Sequence, residues 1–98
     1  MDEDIRVECV EINVTSLESS KVLHQKLKES LEFPSFYGMN WNAFWDAITG
    51  LVELPEKIVF LGWGDLESSI PDEANKLKTL LEEFNEKHPS WACKVEYK

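Results

Sequence analysis

The order of apolar patterns along these 98 residues predicts an α/β domain built on a small parallel sheet. Runs rich in β-branched and aromatic residues occur near the start, middle and end of the chain, at Ile5–Val14, Ile58–Leu61 and Trp91–Tyr97. Each interval between them holds two stretches of helical periodicity, long enough for a crossover connection. The middle run, Ile58-Val59-Phe60-Leu61, is apolar without interruption, as in strands covered on both faces. The order strand, helix, helix, strand, helix, helix, strand is solved by right-handed crossovers and a parallel three-stranded sheet packed with about four helices.

In the first strand, Ile5, Val7 and Cys9 share one face before the pattern slips to Val10, Ile12 and Val14, which implies a bulge or an end near Asn13. Thr15 or Ser16 with Glu18, and then Ser19 or Ser20, are competing N-caps for a helix whose stripe is Leu23, Leu27 and Leu31. Pro34 disfavours helical geometry at Phe33 and ends it. A second helix is predicted from Asn40, its N-cap, to Thr49, with Gly50 at the C-cap. On it Trp41, Phe44, Trp45, Ile48, Leu51 and Val52 form the apolar stripe, and Asn42, Asp46 and Thr49 face away. Glu53 to Lys57 turns into the middle strand, which Gly62 and Gly64 end. A short helix follows from Asp65 to Ser69, and Pro71 and Asp72 open a longer one. Its stripe is Leu77, Leu80, Leu81 and Phe84, with Glu73, Lys76, Glu82, Glu83 and Glu86 outward; His88-Pro89 ends it before the last strand.

A chain of this length is expected to form a single domain over residues 1–98, since its core cannot be divided into two stable ones. Nineteen acids against ten bases give a formal net charge of −9, which argues against nucleic acid or an anionic membrane as partner and favours a cationic protein. Met1-Asp2-Glu3-Asp4 is acidic where a secretory signal is basic, and no apolar run approaches the ~20 residues of a membrane span, so a cytoplasmic protein is expected. Cys9 and Cys93, each placed in a predicted strand, are expected to be buried, reduced thiols. With two scattered His and two scattered Cys there is no zinc-like spacing, and neither metal nor cofactor is expected.

Chemistry concentrates between Phe33 and Pro55, which hold two of the four Trp, three of the five Phe and two of the four Gly. Within it Asp46 has no Lys or Arg within a helical turn. An acid chosen blind is usually a solvated surface group; what raises Asp46 is its aromatic neighbourhood. Enzymatic readings are poor. Asp46 and Glu53 are separated by the expected helix end at Gly50, His24 lies mid-helix without a nucleophile beside it, and Gly62 and Gly64 are too few for a phosphate loop.

The string Tyr37-Gly38-x-Asn40-x-x-Ala43-x-Trp45-Asp46-x-x-Thr49-Gly50-x-Val52-Glu53-x-Pro55 resembles the central segment of the barstar family, intracellular inhibitors of secreted ribonucleases of the barnase type. The resemblance extends through Leu23-His24-Gln25-x-Leu27-Lys28 and, more weakly, to a late helix with Phe84 and Glu86. It implies a barstar-like fold, with a sheet order that separates the two cysteines. It further implies a non-enzymatic immunity protein that occludes the active site of a cationic toxin nuclease, in a 1:1 complex. The implied contact residues are Asp46 as the central anchor, Trp45 beside it, Thr49 and Gly50 at the helix end, Asn40 and Gly38 in the preceding loop, and Glu86 as a peripheral charge. Phe36 and Tyr37 would flank the anchor. Three positions depart: Asn42 replaces an aspartate, Phe36 a tyrosine and Leu51 a tryptophan, which leaves the fold expectation intact and opens the identity of the target. The alternative reading is a regulatory or scaffold domain that keeps the fold without a nuclease target.

Overall fold

A computed structural model describes residues 6–98. The elements are β1 (Val10–Asn13), α1 (Ser20–Ser30), α2 (Trp41–Asp46), β2 (Lys57–Leu61), α3 (Trp63–Ser69), α4 (Pro71–Lys87) and β3 (Lys94–Tyr97). A π-helical turn, Ala47–Leu51, continues α2, and a 3-10 turn, Pro89–Trp91, precedes β3. The strands form one parallel sheet in the order β1-β2-β3, with Ile12 opposite Phe60 and Ile58 opposite Val95. The expected α/β architecture, with three parallel strands and four helices, is the one observed.

The uninterrupted run of β2 is explained by its central place. Ile58 and Phe60 join the main core, and Val59, on the other face, is buried as well. Ile12 of β1 and Val14 just after it are buried in the core, so the second of the two patterns read in that segment is the structural one. The first is not: Val7 and Cys9 are exposed and precede the strand, whose ladder with β2 begins at Val10 opposite Ile58. Ile5, placed in the same expected strand, lies outside the described residues. Cys93 is buried, just ahead of β3, and burial pushes its thiol up to about 11. As the resemblance implied, β2 lies between β1 and β3, but each thiol sits just before a strand and not within it, where it was expected. The last strand is shorter than its alternation suggested, because Trp91 belongs to the 3-10 turn.

Arg6 ties these ends together. Its Nε donates to the carbonyl of Leu54 at 2.9 Å, and Nη2 lies within reach of the carbonyls of Pro55, Trp91 and Ala92 at 2.9, 3.1 and 3.1 Å. One side chain thus links the segments that lead into β2 and β3.

Of the competing caps, Ser19 is used: its hydroxyl accepts the Val22 N–H at 3.2 Å. At the other end α1 stops before Pro34 is reached. Glu32 takes a left-handed φ of 57°, and the Phe33 N–H returns to the Lys28 carbonyl at 3.0 Å, the six-to-one bond of a Schellman cap. Asn40 caps α2 as expected, its Oδ1 accepting the Ala43 N–H at 2.7 Å.

His24 is fully buried on α1. Its Nδ1 is 2.7 Å from the Tyr37 hydroxyl, and its ring centroid is 4.3 Å from that of Trp41. The Trp41 indole N–H donates to Glu73 of α4 at 2.9 Å. Burial lowers the His24 pKa below its ordinary 6.5, against a smaller opposing pull from the Glu73 carboxylate. Its Nε2 has no partner among the described residues, so a second proton would be held without compensation.

Two predictions come from this framework. Because the folded pKa of His24 lies below the unfolded one, its contribution is complete above about pH 6.5 and is lost as pH falls through the folded value. Denaturant midpoints measured from pH 8 to pH 5 should therefore fall in the wild type, and fall less in His24→Gln. Gly62 has φ +79°, and a Cβ there would overlap the Thr15 hydroxyl, whereas Gly64, inside α3, has open space around it. Gly62→Ala should cost at least about 1 kcal/mol, and Gly64→Ala should stabilise by about 0.5–1 kcal/mol, both read from urea denaturation.

Candidate functional site

The helix that carries Asp46 is held from beneath by aromatic packing. Phe44 is fully buried, with Trp41 5.4 Å and Phe33 5.9 Å away, centroid to centroid. Phe33 in turn lies 4.8 Å from Tyr37. The face opposite this packing, Asn42, Asp46 and Thr49, is exposed as its spacing implied. Among the described residues Asp46 has no ion-pair partner.

The C-terminal end of the helix differs from expectation. Gly50 is not a left-handed C-cap; it lies inside the π-turn, which the Val52 N–H closes on the Ala47 carbonyl at 3.0 Å. A wider turn takes an extra residue and rotates less per residue, so the 3.6-residue stripe breaks down at this point. Leu51, read as part of the buried stripe, is 50% exposed, while Ala47, omitted from it, is fully buried. The Thr49 hydroxyl donates to the Trp45 carbonyl at 2.6 Å.

The loop residues divide. Gly38 and Asn40 are exposed, with Asn40 Nδ2 donating to the Gly38 carbonyl at 3.1 Å, and Phe36 is 73% exposed. Tyr37 does not flank the anchor with its ring: the side chain is turned inward onto His24 and Phe33, and its hydroxyl is used there. Glu86 is exposed on α4. Trp45 is half-buried, with the Lys87 ammonium 6.0 Å from its ring centroid.

Two depressions border this helix. One, of about 490 Å³, runs between α2 and α4; Asn42 and Asp46 line it on one side, Lys76, Leu80 and Glu83 on the other, with Trp41 and Trp45 between. The other, of about 330 Å³, lies at the π-turn, where Thr49 and Leu51 meet Phe84, His88 and Trp91. Lys76 and Glu83 were read only as outward-facing. Their spacing held the missing signal, since they sit four before and three after Leu80 and must share its face of α4. Among the described residues no group of three or more His, Cys, Asp or Glu side chains could hold a metal ion, and no helix is long and apolar enough to cross a membrane.

The parallel sheet and the acid-bearing helix that crosses its helical layer define a small barstar-like α/β domain. The family model described as "Barstar (barnase inhibitor)" matches residues 7–97. A similar protein, "Putative ribonuclease inhibitor YrdF" of Bacillus subtilis (strain 168), is 33% identical over 75 residues, which is 76% of this chain and 82% of that one. The chain belongs to the barstar family.

The geometry separates residues that hold the helix from those it displays. Phe44→Ala should lower folding stability by about 3–5 kcal/mol. Asp46→Ala, which removes an unpaired exposed charge from a protein of net charge −9, should leave the thermal midpoint unchanged or raise it. Thermal unfolding of the two variants at neutral pH measures both.

Proposed function

We propose that the protein is an inhibitor of a cationic ribonuclease of the barnase type, acting in the cytoplasm as an immunity protein and occluding the enzyme's active site in a 1:1 complex. The observation that carries this reading is Asp46: an unpaired, exposed carboxylate on a helix fixed by aromatic packing, in a chain whose family is that of a barnase inhibitor. A ribonuclease active site holds cations arranged for phosphate, and a pre-positioned carboxylate competes for them without being a substrate.

In this reading Asp46 is the anchor and Trp45 its half-buried neighbour. Asn42, Thr49 and Gly50 extend the contact along the helix, and Asn40, Gly38 and Phe36 extend it into the loop. Glu86 adds a charge at the edge. Tyr37 contributes through the loop shape its buried ring imposes. The helix is ordered before the partner arrives, so little conformational entropy remains to be lost there on binding.

Inhibition of RNA hydrolysis by barnase, titrated with the purified protein, tests the reading directly, and growth of cells co-expressing the two tests it in vivo. Asp46→Ala should weaken the complex by at least about 2 kcal/mol, the general threshold for a hot spot, of which barstar's own anchor is a reference case. Glu86→Ala should cost less. Equal losses from the two variants would remove Asp46 from the anchor position, and unimpaired hydrolysis at saturating wild-type protein would remove barnase as a target.

A further inference from the structure

The cleft between α2 and α4 is polarised, and its two ends call for opposite charges. Lys76 and Glu83 both line it and are two helical turns, roughly 10 Å, apart along α4. The Trp41–Glu73 hydrogen bond fixes one end of the pair of helices and the Trp45–Lys87 contact the other. Lys76 therefore lies toward Asn42 and Glu83 toward Asp46. Among the described residues Lys76 has no ion-pair partner.

The Glu83 end already shows what it accepts. The Lys87 ammonium is 3.0 Å from the Glu83 carboxylate and 6.0 Å from the centroid of the Trp45 ring, so a carboxylate and an indole that line the cleft hold a cation at its edge. That pair is exposed and therefore weak, and a guanidinium from a partner, with its planar fork, is the better ligand for a carboxylate beside an aromatic ring. At the other end an ammonium and an amide line the cleft and suit an acceptor, and the Glu73 carboxylate nearby already accepts the Trp41 indole N–H.

We propose that this cleft is a specificity slot for a partner surface that presents an arginine next to an aspartate or glutamate, the guanidinium replacing Lys87 on Glu83 and the carboxylate meeting Lys76 and Asn42. Lys76 is thus a specificity residue, and it disfavours a uniformly basic surface at that point. That the partner is a ribonuclease rests on the function proposed above; the charge order of the slot does not.

The test uses short probes and leaves the ribonuclease out. The blocked tripeptides Arg-Ala-Asp, Arg-Ala-Arg and Asp-Ala-Asp are titrated into the labelled protein, with the indole N–H resonances of Trp41 and Trp45 as reporters. The mixed probe should bind about fivefold more tightly than either like-charged probe, the size of one exposed charge pair. Lys76→Gln should erase its advantage over Arg-Ala-Arg, and Lys87→Ala should tighten every arginine-bearing probe by removing the internal competitor. Equal or tighter binding of Arg-Ala-Arg to the wild type overturns the proposal, as does the absence of any shift at the two indoles. Charge selectivity here without inhibition of barnase would remove barnase as the target and keep the slot; inhibition without selectivity would remove the slot and keep the target.

Discussion

The position of Asp46 depends on a buried imidazole far from solvent. His24 gives α1 a hydrogen bond to Tyr37 in the loop and a ring contact to Trp41 at the start of α2, and Trp41 passes the connection to Glu73 of α4. Three helices and a loop are therefore registered against one five-membered ring. An aliphatic residue could fill the same volume, but it would leave the Tyr37 hydroxyl only its longer contact, 3.5 Å, with the Asn40 carbonyl. The imidazole is kept neutral by the same burial that leaves its Nε2 without a partner. Orientation of α2 and sensitivity to acid thus come from one group.

Sheet and helices solve separate problems in this chain. Parallel pairing needs long crossovers, and each crossover here consists of two helices with a sharp change of direction. In the second crossover the change is immediate: α3 ends at Ser69, Ile70 is the single residue between, and Pro71 opens α4. In the first it is spread over a ten-residue loop from Leu31 to Asn40, with non-glycine left-handed residues at Glu32 and Met39. The longer connection is the one that displays Phe36 and sets the entry of α2. Two of the three left-handed non-glycine residues among the described residues, and the exposed Phe36, thus lie in the connection that leads into the helix of the candidate site.

The sequence exposed much of this because several signals are local. Asn40 as a cap, Pro71 at a helix start and four consecutive apolar residues in β2 each act within a few residues, and each is found where the local rule puts it. What was hidden depends on partners distant in the chain. The strand expected from Ile5 starts at Val10, where the ladder with Ile58 begins; before it only the Val7 carbonyl reaches a backbone partner, the Glu56 N–H, and Cys9 is exposed. Tyr37 looked like a surface aromatic until His24 claimed its hydroxyl. The π-turn is a subtler case: a period of 3.6 fits Trp41 to Ile48 and fails only in the last turn, where one extra residue per turn exchanges the roles of Ala47 and Leu51.

The same distinction governs the electrostatics. A net charge of −9 is a whole-chain property, legible from composition, and it raises the encounter rate with any cation regardless of where on the surface the acids lie. Beyond a Debye length of about 8 Å at physiological ionic strength that field is screened and carries no discrimination. Discrimination requires charges fixed relative to one another at shorter range, and these are set by packing: Asp46 by the aromatic bed of α2, Glu83 and Lys76 by their places beside Leu80 on α4. A family member can therefore exchange an aspartate for Asn42 with little loss of long-range attraction, since nineteen acids are present in the chain that has Asn42. The exchange alters the short-range pattern instead, and it does so beside Lys76, the cationic end of the cleft. Attraction and recognition can in this way diverge independently on one fold, the first through the number of acids and the second through a few positions along two packed helices.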